Sequence, residues 1–209
     1  MSKPNIAIFD YGAGNLFSLK TSLEKNGADK IVILNDLKGI EKFDGLILPG
    51  VGNFDPAIKT IEKSKEILVD VVNKGFPVLG ICLGMEMLFE NSEEGKLNGL
   101  SIFNGNVKIL PSHKVKIPHM GWNNLDIVKS GSKILEGIKD RSWVYFVHSY
   151  RIVPKKKDTD IVVANTNYGI DIPVVIEKNN LFGTQFHPEK SGTIGAKIMK
   201  NFIEACNKK

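Results

Sequence analysis

The run Pro77-Val78-Leu79-Gly80-Ile81-Cys82-Leu83-Gly84-Met85-Glu86 decides the reading of this chain. A short apolar stretch passes straight into a glycine, a cysteine and a second glycine, and then into residues that favour helix. That order describes a strand, a sharp turn and a helix, the layout of a nucleophile elbow with Cys in place of Ser. Glycines at 80 and 84 remove side chains from places such a turn would crowd. The thiol then stands at the carboxyl end of a strand, where the N-terminus of the next helix favours thiolate. A structural cysteine fits the same run, because free Cys packs as a small hydrophobe.

A second run, Gly183-Thr184-Gln185-Phe186-His187-Pro188-Glu189, supplies what a reactive thiol needs. In extended backbone, residues two apart share a face, so Glu189 can reach the His187 ring. A carboxylate on one ring nitrogen fixes the tautomer and leaves the other nitrogen to manage a proton. His187 lies far along the chain from Cys82, so the two can meet only through the fold.

Outward from the elbow, strands and helices alternate. Asn5 to Phe9, Lys30 to Leu34 and Gly45 to Leu48 read as strands. Leu16, Leu19 and Leu23 mark one helical stripe that ends at Gly27. Ala57, Ile58, Ile61, Leu68, Val71 and Val72 trace a single longer helix that stops at Gly75. Alternation of this kind implies a parallel sheet with helices on both faces. The loop Asp10-Tyr11-Gly12-Ala13-Gly14-Asn15 has a glycine pair without the third glycine of a dinucleotide-binding fingerprint.

Beyond about residue 100 the pattern changes to strands and turns. Asn106 to Leu110, Trp122 to Val128, Ser142 to His148, Asp160 to Thr166, Pro173 to Glu177 and Leu181 to Gln185 read as strands, some antiparallel. Ile194, Ile198, Phe202 and Ala205 close the chain as an amphipathic helix. The expectation is one α/β domain over residues 1–209: a flavodoxin-like, mostly parallel open sheet with helices on both faces, and antiparallel strands in its C-terminal half. In such sheets ligands bind beyond the carboxyl ends of the strands.

Composition narrows the chemistry. With 42% hydrophobic and 24% charged residues, the chain is an ordinary globular one. A net charge of +5 raises nucleic acid as a partner, but 26 of its 28 basic residues are lysine, leaving Arg141 and Arg151. Nucleic-acid readers favour the planar arginine fork, which argues against that partner. The Lys155-Lys156-Lys157 run follows Pro154 and reads as a solvated loop. Two cysteines, Cys82 and Cys206, offer no metal-ligand spacing and no disulfide framework, so no metal and no cofactor are expected. Met1-Ser2-Lys3-Pro4 leads directly into a strand with no signal-peptide core, and no apolar run is long enough for a membrane. A cytoplasmic location is expected.

Taken together, Gly80-Ile81-Cys82-Leu83-Gly84 and His187-Pro188-Glu189 resemble the class I, or triad, glutamine amidotransferases, from Ile6 to Phe202. The resemblance implies a Cys82, His187 and Glu189 triad acting on L-glutamine. Leu48-Pro49-Gly50-Val51-Gly52 matches the family's oxyanion segment, which implies an oxyanion hole at Gly50, Val51 and Leu83. It implies glutamine contacts at Gly52, Glu86, Ser149 and Tyr150. Where the family usually has Gln, this chain has Glu86, which accepts hydrogen bonds but cannot donate as an amide does.

Two further segments, Ile117 to Asn123 and Tyr145 to Tyr150, resemble the glutaminase subunits of imidazole glycerol phosphate synthases. That likeness implies ammonia delivery to a (β/α)8-barrel synthase subunit in a heterodimer, within histidine biosynthesis. His119, Met120, Trp122 and Asn123 read as an interface turn, since Trp and Met are enriched in interface cores. Trp122 buried in a core turn is the competing reading. Three other functions stay open: a paralogous glutaminase feeding a sugar-modifying synthetase, a cysteine peptidase or hydrolase on the same scaffold, and a non-catalytic glutamine sensor.

Overall fold

In the computed structural model, residues 3–12 and 16–207 are described; Ala13, Gly14 and Asn15 of the glycine-pair loop, and Met1 and Ser2, lie outside them. The elements run β1 (Ile6–Phe9), α1 (Phe17–Lys25), β2 (Ile31–Leu34), β3 (Gly45–Leu48), α2 (Phe54–Ile61), α3 (Lys65–Asn73), β4 (Val78–Ile81) and α4 (Leu83–Glu86). There follow β5 (Asn91–Ser92), β6 (Gly105–Ile109), β7 (His119–Asn124), β8 (Asp126–Ile127), β9 (Trp143–His148), β10 (Tyr150–Pro154), β11 (Val162–Asn167), β12 (Asp171–Lys178), β13 (Leu181–Thr184) and α5 (Gly192–Cys206).

The central sheet has the order β2-β1-β3-β4-β13-β12-β11-β8. From β2 to β13 all neighbours are parallel, and from β13 to β8 they are antiparallel. Strands β1, β3, β4 and β13 are short and apolar because both of their faces are covered, while β2 at the edge is only partly buried, with Ile33 exposed. Ile6 and Ile8 face α1 and α5, where Leu19, Leu23, Ile198 and Phe202 pack. Ala7 and Phe9 face the opposite way, onto Phe54, Ile58 and Ile61 of α2 and Leu68 of α3. This alternation is the period of two expected of a strand, applied between two cores. Each large side chain buried here contributes about 1.5–3 kcal/mol.

Two expectations need correction, and one strand was not expected. The single helix before Gly75 is two helices, broken by a 3-10 turn at Glu62–Ser64. There Ser64 is buried, and its hydroxyl accepts the Leu37 backbone N–H at 3.1 Å. Trp122 to Val128 is two strands in different sheets, with β7 paired to β9 and β8 paired to β11. Tyr150 to Pro154 is a strand, β10, antiparallel to β6 in a separate three-stranded sheet. Lys155 follows that strand and pairs with Glu90 at 2.7 Å, a partly exposed pair of small energetic weight. Among the described residues, no helix is long and apolar enough to cross a membrane.

Candidate active site

Strand β4 ends at Ile81, and the chain turns on Cys82 itself, with φ +47° and ψ −107°. A non-glycine residue in this region costs about 1–3 kcal/mol and persists only where the surroundings enforce it. Three backbone bonds do so. The Cys82 N–H donates to the Thr184 carbonyl at 2.6 Å, and its own carbonyl accepts the N–H groups of Met85 and Glu86, each at 3.0 Å. The flanking glycines act through space. A Cβ on Gly84 would lie 2.0 Å from the Leu48 carbonyl oxygen, and one on Gly80 would lie 2.7 Å from the Met85 nitrogen. Close approach of backbones, and not a left-handed turn, is why glycine stands at both.

Strands β3 and β13 flank β4, so their carboxyl ends bring the other groups to Cys82. Gly50 lies between them: a Cβ there would be 2.8 Å from Cys82 Cβ and 3.1 Å from His187 Cε1. Cys82 and His187 therefore flank Gly50 from two sides. His187 Nδ1 bonds Glu189 Oε1 at 2.8 Å, with both side chains nearly buried. That contact forms through a 3-10 turn at Pro188–Lys190, and not along the extended backbone that the spacing suggested. An open cleft of about 350 Å³ includes Gly50, Val51, His187 and Glu189 in its wall. A larger hollow, about 730 Å³, lies at the opposite end of the parallel strands, near Asp44, Pro77 and Asn180. Its wall has Cys206 but no His, whereas the wall of the smaller cleft has His187 and Glu189 but not Cys82. Among the described residues, no group of three or more His, Cys, Asp or Glu side chains is placed to hold a metal ion.

Electrostatics at Cys82 reverse one expectation. Burial pushes its thiol well above the ordinary range, and the Glu86 charge pushes the same way. The Leu83 N–H and the Gln185 amide favour thiolate but do not outweigh burial and the Glu86 charge. Glu86 is itself 3% exposed and is pushed up to about 7, mainly by burial. Gln185 was missed from sequence, although it precedes His187 by two residues, the same spacing that separates His187 from Glu189. It is wholly buried, and its amide donates to Glu86 Oε1 at 2.8 Å.

The remaining expected residues fall as follows. Val51 is half-buried beside the cleft, and Gly52 is exposed with φ +93°. The Ser149 carbonyl is occupied by the Leu110 N–H at 2.9 Å. Tyr150 is half-buried, and its hydroxyl is raised by burial and by the charges of Glu94, Glu86 and Glu93.

The interface segment is a strand and not a turn, and it divides by parity. Met120 and Trp122 point outward, 62% and 52% exposed, joined by Trp143 at 54% on the paired strand. Trp122 meets Tyr145 edge-on at 5.9 Å. His119 points inward, contrary to its reading as an interface residue. It is 3% exposed, stacked between Phe146 and Tyr168, and bonds His148 Nε2 through Nδ1 at 2.9 Å. Asn123 is also tied inward, donating to the Asn167 carbonyl at 3.0 Å. The back of the hairpin is joined to the site. The His187 N–H donates to the Tyr145 carbonyl at 3.1 Å, and the Tyr145 N–H donates to Ser191 Oγ at 2.9 Å.

Comparison with known proteins agrees with this geometry. The glutamine amidotransferase class-I family matches residues 7–206. The imidazole glycerol phosphate synthase subunit HisH of Methanocaldococcus jannaschii is 49% identical over 200 residues, covering 95% of this chain and 98% of that one. The HisH subunit of Caldanaerobacter subterraneus subsp. tengcongensis is 52% identical over 203 residues, covering 95% and 97%. Among solved structures, PurLQS of Thermotoga maritima superimposes with a TM-score of 0.74 at 19% identity, covering 98% of each chain. The glutaminase domain of Trypanosoma brucei CTPS gives 0.71 at 17% identity, covering 97% and 93%. At such identities these two show a shared fold. The elbow, the His–Glu pair and the family match over nearly its whole length together place this chain in the class-I glutamine amidotransferase family.

Proposed function

We propose that the chain is the glutaminase subunit of an imidazole glycerol phosphate synthase, hydrolysing L-glutamine to glutamate and ammonia. The observation that carries the reading is that Cys82 and His187 flank Gly50, in a chain about half identical to HisH subunits along nearly its full length. Cys82 Sγ attacks the side-chain amide carbon of glutamine, and the carbonyl oxygen becomes the oxyanion. Backbone N–H groups at Gly50 or Val51 and at Leu83 receive that charge. His187 takes the thiol proton and passes it to the departing nitrogen, which leaves as ammonia. It then draws a proton from water as water attacks the glutamyl thioester, releasing glutamate and restoring the thiol. Glu189 orients the ring throughout. A thiol held above its ordinary range favours proton transfer to His187 during attack over a standing thiolate.

Ammonia then passes to a (β/α)8-barrel synthase subunit docked over the site, which joins it to a phosphoribulosyl aminoimidazole-carboxamide. The products are imidazole glycerol phosphate and an aminoimidazole-carboxamide ribotide, in histidine biosynthesis in the cytoplasm. The whole chain acts as one amidotransferase domain, with Met120 and Trp122 facing the partner. Glutamate release, measured with and without the synthase subunit and its ligand, tests the reading. Slow hydrolysis by the isolated chain should rise on assembly. Cys82→Ala should remove it by several orders of magnitude while leaving the melting temperature within a few degrees. Hydrolysis that survives in Cys82→Ala, or a wild-type complex that releases no glutamate, would sink it.

A further inference from the structure

Two neighbouring residues at the end of β13 hold Cys82 by different handles. The Thr184 carbonyl takes the Cys82 backbone N–H at 2.6 Å, and the Gln185 side chain lies beside the sulfur, with Nε2 3.6 Å from Sγ. Gln185 is wholly buried, and its backbone N–H donates to the Val174 carbonyl of β12 at 2.9 Å, so the residue has little freedom to leave. Its amide also has a fixed sense. Nε2 donates to Glu86 Oε1 at 2.8 Å, while the Gln185 Oε1 has no hydrogen-bond partner among the described residues. A carboxylate oxygen only accepts, so Glu86 turns the nitrogen of Gln185, and not its oxygen, toward the elbow. An amide nitrogen carries two hydrogens. With one given to Glu86, the other is left for the sulfur.

The sulfur needs that hydrogen most at the moment of attack. Burial and the charges of Glu86 and Glu189 all hold the proton on the thiol, and no lysine or arginine appears among the groups acting on it. Against them stand two donors, the Leu83 N–H and the Gln185 amide. In the mechanism proposed above, the Leu83 N–H is spent on the substrate oxyanion. Gln185 is then the donor left to the sulfur while its proton passes to His187, and a hydrogen bond strengthens as its acceptor becomes charged. We propose that Gln185 is a further catalytic residue, whose side-chain amide, oriented by Glu86, fixes the direction of the Cys82 sulfur and stabilises the negative charge that forms on it. The amide keeps both of its hydrogens throughout, and the one proton that moves goes from Sγ to His187. The proposal rests on Cys82 being the nucleophile of the glutaminase reading, but one arm of its test needs no substrate.

The first arm of the test is Gln185→Met in the assembled enzyme, which keeps the length of the side chain and removes its N–H groups. It should lower kcat for glutamine hydrolysis about 10- to 100-fold, the loss of one hydrogen bond to a charged acceptor, with a smaller change in KM. The second arm follows Cys82 labelling of the full chain by iodoacetamide across pH 5.5–9.5, read by mass spectrometry. Buried Cys206 serves as the internal unreactive thiol. Gln185→Met alone strands the buried Glu86 carboxylate, so this arm is read in a Glu86→Met background. There the charge is gone, and replacing both polar partners leaves neither unpaired. Adding Gln185→Met to Glu86→Met should move the labelling profile up by about one pH unit, making labelling about tenfold slower at a fixed pH on its rising limb. A merely structural role would leave that profile in place. Profiles of Glu86→Met and of the double variant that coincide within twofold would overturn the proposal, and so would a kcat for Gln185→Met within threefold of wild type. Should Gln185→Met not fold alone, the labelling comparison decides. Absent glutamine hydrolysis in the wild-type complex would instead count against the glutaminase reading, and would leave the labelling result to stand.

Discussion

The elbow at Cys82 and the β7–β9 hairpin meet at His187, yet they are built on opposite terms. At the elbow there is no spare room. A methyl on Gly84 would overlap the Leu48 carbonyl, and the backbone of Cys82 is held strained by three hydrogen bonds. On the outer face of the hairpin there is nothing but room: Met120, Trp122 and Trp143 stand more than half exposed. The elbow needs one atom in one place, and its geometry is enforced by close contact on every side. The hairpin face offers area, whose value is realised only when something covers it. Strand β9 is bonded to the backbone of His187, which fixes that residue's place beside the elbow.

Glycine substitutions test this contrast most severely. Gly84→Ala should cost about 3 kcal/mol or more and remove glutaminase activity, since the new methyl meets backbone that cannot move. Gly121, on the hairpin, has φ +126°, and a methyl added there would have nothing within 4 Å. Gly121→Ala should therefore cost only about 1–2 kcal/mol, the penalty of the backbone angle alone. Urea titration of both variants gives the comparison. Equal losses would mean that the elbow relaxes as freely as the hairpin.

Trp122→Ala comes next in size. Loss of its indole should weaken assembly with the synthase subunit by about 2 kcal/mol if it is an interface anchor. Folding should lose less than about 1 kcal/mol, because half of the side chain already meets solvent and its main contact is the edge of Tyr145. Melting temperature and partner affinity measured on the same preparation separate the two. A large thermal loss with unchanged affinity would return Trp122 to the core.

The contrast also explains what could be read from sequence. The elbow was legible because its parts are contiguous. Strand, turn glycines and thiol lie within Pro77 to Glu86, and the His187 run announces its own partner at Glu189. The inner parallel strands were legible because burial on both faces makes them short and uniformly apolar, and even the partly buried edge strand β2 is an unbroken apolar run, Ile31 to Leu34. The hairpin was less so. Its partner strands lie far apart along the chain, and whether His119 or Met120 faces inward depends on a register set by Trp143 to His148. Strand β10 was hidden for the same reason, since it pairs with β6. At the thiol, a favourable helix end was visible in the residue order. The burial and the Glu86 charge that outweigh it became visible only in three dimensions.

The smallest effect is the most discriminating, because the two regions should respond to acid with opposite signs. Inside the hairpin, His148 Nδ1 lies 2.7 Å from the Tyr150 carbonyl, which can only accept, so Nδ1 carries the proton. His148 Nε2 must then accept from His119 Nδ1, and both rings are neutral. Burial lowers each from 6.5 to about 4. As pH falls from 6.5 toward 4 the unfolded chain takes up these protons and the folded chain does not, so stability is lost across that window. Glu86 does the reverse. Raised from 4.5 to about 7, it binds its proton first in the folded state, so its contribution grows as pH falls through 7 toward 4.5. In the wild type the two responses oppose each other, and the melting temperature should change little between pH 7.5 and 5.0. Glu86→Gln removes one side of the balance, and its melting temperature should fall over the same range by about 3–6 °C relative to wild type. Differential scanning calorimetry at matched ionic strength makes the comparison. Parallel curves for the two proteins would mean that Glu86 does not titrate in this window, and that the elbow holds its charge on other terms than those described.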